Sequence, residues 1–156
     1  MITTGKNLIM LHASAENSTD IITQLCDKLK AAGCIGDKYC SEVIAREEQY
    51  PTGLPSEGVT VAIPHAFSDD VMKTAVAVAV LDKPVVFRDI SDYDEELEVS
   101  MVFLLSNSAG GGEHMDSLQE LMDCMSRPAL LVDVFNAPDE ETVVDILSHT
   151  ERYPEE

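Results

Sequence analysis

The run VAIPHAF, residues 61–67, ends an apolar stretch on a proline and then presents His65. Pro64 pushes Ile63 toward an extended conformation, so the strand is expected to stop there. In layered α/β proteins, functional side chains gather at strand ends and in the loops that follow. An imidazole has an unperturbed pKa of about 6.5, so a large fraction is neutral at neutral pH. A neutral ring nitrogen is a good nucleophile toward phosphorus. The plainer alternative is a histidine that hydrogen-bonds a strand end and does nothing more.

Two further residues have types suited to the same chemistry. His114 shares a helical face with Leu118 and Leu121 and stands in the expected first turn of its helix. Unpaired backbone N–H groups there favour anions and keep a histidine neutral. Such a ring can donate one N–H to a phosphoryl oxygen, or it can simply cap the core. The AGGG run before it is not a P-loop, because no Gly-Lys-Ser/Thr follows. Arg46 lies beside a Pro/Gly-rich loop in a chain with few basic residues. A guanidinium grips a phosphoryl group through its planar fork; a salt bridge to one of the many carboxylates is its simpler role. His12, closing the first strand, and His149, near the tail, read as structural or solvated. A metal site of His65, Asp69 and Asp70, and with it a metal hydrolase, is a rival reading, although the spacing matches no strong ligand motif.

Positioning these side chains requires a layered scaffold. NLIMLHA reads as a first strand. Asn17 to Asp20 is a capping cluster for a helix with Ile21, Ile22, Leu25 and Leu29 at helical spacing, stopped by Gly33. Asp37 is the expected cap of a second helix with Val43 and Ile44 inward and Arg46 near its end. YPTGLPSEG reads as a loop. VTVAI, AVAVAVL (75–81) and VSMVFLL (99–105) read as strands, the last two covered on both faces. PVVF (84–87) is an expected edge strand, with the acidic SDYDEELE as a solvated loop after it. EHMDSLQELMDCM has an amphipathic helical pattern. Two short helices, near 128–136 and 138–149, follow, with Pro128 and Pro138 where first-turn prolines are tolerated. Strands interleaved with helices imply one α/β domain over residues 1–156.

Composition narrows the partners. The chain has 156 residues and a net charge of −19. Such a surface repels phosphate backbones and anionic lipid, which argues against nucleic acid and membrane; it would attract a basic protein patch, or it serves solubility alone. No apolar run approaches the ~20 residues of a spanning helix. The four apolar residues Leu8 to Leu11 are too few for a signal peptide, so a cytoplasmic protein is expected. Cys26, Cys34, Cys40 and Cys124 form no C-x-x-C pair and read as free, largely buried thiols.

The stretch AREEQYPTGLPSEGVTVAIPHAFSDDVMKTAVAVAVLDKPVVF resembles the fructose/mannitol family of enzyme IIA domains of the bacterial sugar phosphotransferase system. The Arg-Glu pair, the TG loop, the IPH box, the A-V-A-V strand, an L-x-x-P-V turn and a later H-x-x-x-L-x-x-L helix occur in family order. YPTGLP followed by VAIPH looks most like the galactitol-type branch. The resemblance implies a three-layer domain, a mixed sheet of about five strands flanked by helices. It implies a phosphotransferase component that takes a phosphoryl group from the phosphocarrier HPr and hands it to a IIB domain, with only an indirect link to a IIC permease. It makes His65 the phosphoryl acceptor, His114 its stabiliser and Arg46 a supporting cation, and implies no metal or organic cofactor. The family's regulatory, nitrogen-type branch, in which phosphorylation controls a partner protein, is the alternative. Phe67 stands where the family commonly has a small or polar residue.

Overall fold

The structure, a computed structural model, describes residues 2–107 and 111–154, with side chains described outside 111–115. A short 3-10 turn leads into β1 (Ile9–Ala13), followed by α1 (Ser18–Ala31), α2 (Tyr39–Gln49), β2 (Gly53–Leu54), β3 (Val61–Ala62), β4 (Ala75–Asp89), β5 (Asp92–Ser106), α3 (Gly111–Met125), α4 (Pro128–Phe135) and α5 (Glu140–Ser148). The five strands form one mixed sheet. β4 pairs in parallel with β1 and antiparallel with β5; β5 pairs in parallel with β3, and β3 antiparallel with β2. This is the expected α/β layered architecture.

The A-V-A-V alternation explains the layers. Side chains of a strand alternate between faces, and Ala75, Ala77 and Ala79 fall on one side with Leu25, Leu29 and Val43 of α1 and α2. Val76, Val78 and Val80 fall on the other with Leu121, Leu130, Val134 and Ile146 of α3, α4 and α5. Alanines on the first face let α1 approach closely, while valines fill the wider gap on the second.

Local signals set most boundaries. The Asn17 side chain accepts from the Asp20 N–H at 2.9 Å, capping α1. Gly33, at φ 77°, lets the chain turn out of the helix in the left-handed region. Pro128 opens α4 at its first turn, whereas Pro138 precedes the Asp139 cap of α5.

Three expectations need correction. Asp37 does not cap α2; it pairs with Lys30. The cap comes from Asp70, whose Oδ2 accepts from the N–H groups of Lys38 at 2.7 Å and Tyr39 at 2.9 Å. A side chain 31 positions distant leaves no local trace. YPTGLPSEG is not wholly irregular, because Gly53–Leu54 form β2. There a Cβ on residue 53 would stand 2.6 Å from the Arg88 carbonyl oxygen, so only glycine lets the two backbones come so close.

The third correction concerns the acidic stretch. PVVF and SDYDEELE are not an edge strand and a loop but the outer half of a long β4–β5 hairpin. A register shift between Val80 and Val85 admits the Asp82–Pro84 break without ending the ladder. Beyond it, Val85 and Phe87 stay buried, while Val86 and residues 91–96 face solvent. The solvated face is as expected, but it belongs to a strand. Asp89 makes the turn by accepting from both the N–H and the hydroxyl of Ser91, each at 2.8 Å.

Candidate functional site

β3 ends at Ala62, and Pro64 follows without an N–H to continue the ladder. The Pro64 carbonyl accepts from the Leu105 N–H at 3.2 Å, so the chain stays bound to β5 as it leaves the sheet. His65 is thereby delivered to the wall of a cleft of about 500 Å³. Arg46 and Tyr50 come from the end of α2, Ile90 and Tyr93 from the hairpin turn, and Leu118 and Met122 from α3. The loop after β3, the last turn of α2 and the tip of the hairpin therefore meet at one place.

The ring of His65 is held firmly. Only 8% of the residue is exposed. Its Nδ1 lies 2.9 Å from the Ile63 carbonyl oxygen. A carbonyl only accepts, so Nδ1 carries the proton and Nε2 keeps the lone pair. Burial holds the imidazole below its ordinary pKa; the Ile63 carbonyl pulls upward, and the Arg46 charge adds to the lowering. Burial and the cation favour the neutral ring, and the carbonyl decides which nitrogen keeps the lone pair.

Among the described residues that line the cleft with Arg46, none is a carboxylate. Its guanidinium carbon lies 4.9 Å from the centre of the Phe67 ring and 5.1 Å from that of Tyr50, both within cation–π range. Phe67 in turn meets His65 edge to face, with ring centres 5.8 Å apart. The buried Arg46 Nε has no hydrogen-bond partner among the described residues. Among the described residues Arg46 forms no salt bridge; its described contacts are the two aromatic rings. Phe67 is a packing element that lies against both the cation and the imidazole.

His114 falls in the first turn of α3, and its side chain lies outside the described residues. Leu118, one turn further on, lines the cleft that holds His65. The metal alternative fares differently. Asp70 is committed to the start of α2, and among the described residues no group of three or more His, Cys, Asp or Glu side chains could hold a metal ion. His12 and His149 lie elsewhere, the first facing Asp82 and the second closing α5. Cys26, Cys34, Cys40 and Cys124 are free thiols, and burial pushes those of Cys26, Cys34 and Cys124 up.

One supporting residue gave no signal in the sequence. The Tyr39 hydroxyl, fully buried, donates to the Leu105 carbonyl at 2.6 Å and accepts from the N–H groups of Ala66 at 3.1 Å and Asn107 at 3.0 Å. A single phenol thus ties the residue after His65 to the end of β5. Tyrosine in a helix start has no periodic or motif signature that announces such a hub.

Comparison with known proteins concerns the chain as a whole. Residues 3–150 match the family described as "Phosphoenolpyruvate-dependent sugar phosphotransferase system, EIIA 2". The fructose-specific EIIA component of Haloferax volcanii is 27% identical over 147 residues, 93% of this chain and 92% of that protein. The galactitol-specific EIIA component of Escherichia coli K12 is 29% identical over 87 residues, 56% of this chain. The chain spans only 57% of that relative's length, and 16% of the E. coli multiphosphoryl transfer protein 2, to which it is 26% identical. In structure it is similar to enzyme IIAMTL of E. coli, solved in complex with phosphorylated enzyme IIBMTL, with a TM-score of 0.77 at 20% identity over 95% of this chain and 99% of that one. No helix among the described residues is long and apolar enough to cross a membrane. The family match, spanning nearly the whole chain and both walls of the cleft, assigns this protein to the EIIA 2 family of the phosphoenolpyruvate-dependent sugar phosphotransferase system.

Proposed function

We propose that this chain is the phosphoryl carrier of a galactitol-like or other sugar or polyol phosphotransferase system, with His65 as the residue that bears the phosphoryl group. The observation that carries the reading is the hydrogen bond from Nδ1 to the Ile63 carbonyl, which leaves Nε2 as the nucleophile of a buried, neutral ring. In the accepting step the Nε2 lone pair forms a bond to phosphorus while the bond from phosphorus to its donor nitrogen on phospho-HPr breaks. The donor nitrogen keeps that electron pair. The ring then gains positive charge, which the Ile63 carbonyl offsets by continuing to accept from Nδ1–H. In the second step a IIB cysteine thiolate attacks the same phosphorus, and Nε2 recovers its pair. Because the ring leaves as a neutral imidazole, the retained Nδ1 proton favours both directions of transfer.

Arg46 supplies positive charge for the phosphoryl oxygens in both steps, and its stacking on Phe67 and Tyr50 holds the guanidinium plane in place without neutralising it. His114 fits the role of a second donor from the first turn of α3. An exposed apolar rim of Tyr50, Phe67, Ile90 and Tyr93 suits successive docking of two protein partners, and the net charge of −19 suits a basic patch on HPr. The link to a IIC permease is indirect, through IIB.

The test is direct. The protein is incubated with phosphoenolpyruvate, enzyme I and HPr, and an acid-labile, base-stable phosphate is sought. Wild type takes the label and His65→Ala does not. Full labelling of His65→Ala overturns the assignment.

A further inference from the structure

The Ile63 carbonyl that fixes the His65 tautomer belongs to the Ile63–Pro64 peptide, which has no N–H of its own. Its placement depends on how Ile63 is held from the other side. There the Ile63 N–H donates to Thr52, with the hydroxyl Oγ1 at 3.2 Å and the carbonyl at 3.3 Å. The same hydroxyl donates to Glu47 Oε1 at 2.8 Å, and the Thr52 N–H donates to Glu47 Oε2 at 2.8 Å. Both carboxylate oxygens of Glu47 therefore clamp one residue. A hydroxyl has a single proton, so while it is given to Glu47 the oxygen is an acceptor, which is what the Ile63 N–H requires.

We propose that Glu47 and Thr52 are positioning residues for His65: the Glu47 carboxylate orients the Thr52 hydroxyl, that hydroxyl fixes Ile63, and the Ile63 carbonyl then holds the imidazole with its proton on Nδ1 and Nε2 open to the cleft. The inference rests on His65 as the phosphoryl acceptor, but the tautomer it sets can be observed without any phosphoryl transfer. The chain of contacts also joins the two sides of the cleft. Arg46 and Glu47 are neighbours on α2, so one helical turn delivers the cation toward the phosphoryl site and the carboxylate toward the loop that holds the histidine. Thr52 is buried, and a valine there keeps the branched shape while removing the hydroxyl.

The experiment uses the full chain labelled with ¹⁵N in histidine, as wild type, Thr52→Ser, Thr52→Val and Glu47→Gln. Long-range ¹H–¹⁵N spectra read the tautomer of His65, and label transfer from phospho-HPr reads the rate. Wild type and Thr52→Ser are expected to hold the proton on Nδ1. Thr52→Val and Glu47→Gln are expected to give a mixture of tautomers and to accept phosphate about 10- to 100-fold more slowly, the usual range for partners that orient an imidazole. The serine variant restores the hydroxyl without the methyl, so its recovery separates orientation from packing. If Thr52→Val melts lower yet keeps the wild-type tautomer and a rate within about twofold, the positioning role is wrong. If the tautomer shifts as expected but His65→Ala is labelled like wild type, the relay stands and the assignment of the acceptor falls.

Discussion

Two histidines stand at the ends of strands in this molecule, and their surroundings are opposite. His65 follows β3, is nearly buried, gives its Nδ1 proton to a backbone carbonyl and has an arginine across the cleft. His12, within β1, has a side chain 84% exposed, and its Nδ1 lies 3.1 Å from the Asp82 carboxylate. A carbonyl acceptor selects one tautomer of a neutral ring. A carboxylate accepts as a carbonyl does, but at a side chain this exposed water can serve either ring nitrogen, so the contact enforces no tautomer. Strand-end position is therefore shared by both and decides nothing; what sets His65 apart from a surface ring is the fixed acceptor, the burial and the nearby cation.

The largest expected effect tests this contrast directly. His65→Ala abolishes phosphoryl acceptance, while His12→Ala leaves the rate of labelling by phospho-HPr unchanged. Equal losses in the two variants break the comparison.

Removing the cation comes next. Arg46→Ala is expected to slow transfer roughly 10²- to 10³-fold, the range for losing one preorganised charge donor in a site that excludes water. Arg46→Lys recovers only part of it, because an ammonium keeps the charge but not the planar fork stacked on Phe67. The His65 pKa should rise in Arg46→Ala, since the arginine contributes to its lowering. Single-turnover rates and ¹⁵N titration of the His65 ring check both parts; a lysine variant as fast as wild type reduces Arg46 to a point charge.

The pH dependence is smaller and has two opposing signs. His65 titrates below its ordinary value, so its own protonation should not limit acceptance as pH falls through about 6.5 and should do so only at lower pH; a loss that already begins near pH 7 reports protonation of Glu47. In the unfolded chain the same ring takes up its proton near 6.5, so this group costs stability as pH falls below that value. Glu47 acts the other way. Burial pushes its carboxyl up to about 7 against the hydrogen bonds from Thr52, so the folded form holds a proton that the unfolded chain releases near 4.5. Its contribution to stability is fully present below about pH 4.5 and lost as pH rises through about 7. Urea melts of wild type and Glu47→Gln between pH 4.5 and 7.5 should show the variant with the flatter decline; parallel curves remove Glu47 from the balance.

Much of this was legible in the sequence, and the reasons are local. The Asn17 cap, the Gly33 stop and the alternation of Ala75 to Val80 each act within a few residues, so their consequences could be read in place. The IPH box and the Arg-Glu pair pointed to His65 and Arg46, which the fold brings to one cleft. What the sequence hid depends on partners far along the chain. Asp70 caps α2 from 32 positions beyond Lys38, the Tyr39 hydroxyl reaches Leu105, 66 positions on, and the acidic stretch is a strand because β4 pairs with it. The hairpin is hidden in the sequence for a related reason. Charged residues on both sides of a strand past the helical layers look like loop, since no buried face imposes alternation.

The smallest effect sharpens the comparison at His12. This residue has φ 54°, the left-handed region in which a Cβ costs roughly 1–2 kcal/mol relative to glycine. Its contact with Asp82 is solvent-exposed on both sides and belongs to the class worth about 0–1 kcal/mol. The two act against each other, and two substitutions separate them. His12→Ala removes the contact and keeps the Cβ, so it should destabilise slightly or not at all. His12→Gly removes both, and should be more stable than His12→Ala by about 1 kcal/mol, reduced by the greater freedom of glycine in the unfolded chain. Chemical denaturation of the two variants gives the difference. A glycine variant that is less stable than the alanine variant means that β1 needs a side chain at this position to hold its bend. In neither variant should phosphoryl acceptance change, because the one hydrogen-bond partner of the His12 ring among the described residues, Asp82, is not part of the cleft; a slowed rate in His12→Gly alone would show that the end of β1 communicates with His65 through β4.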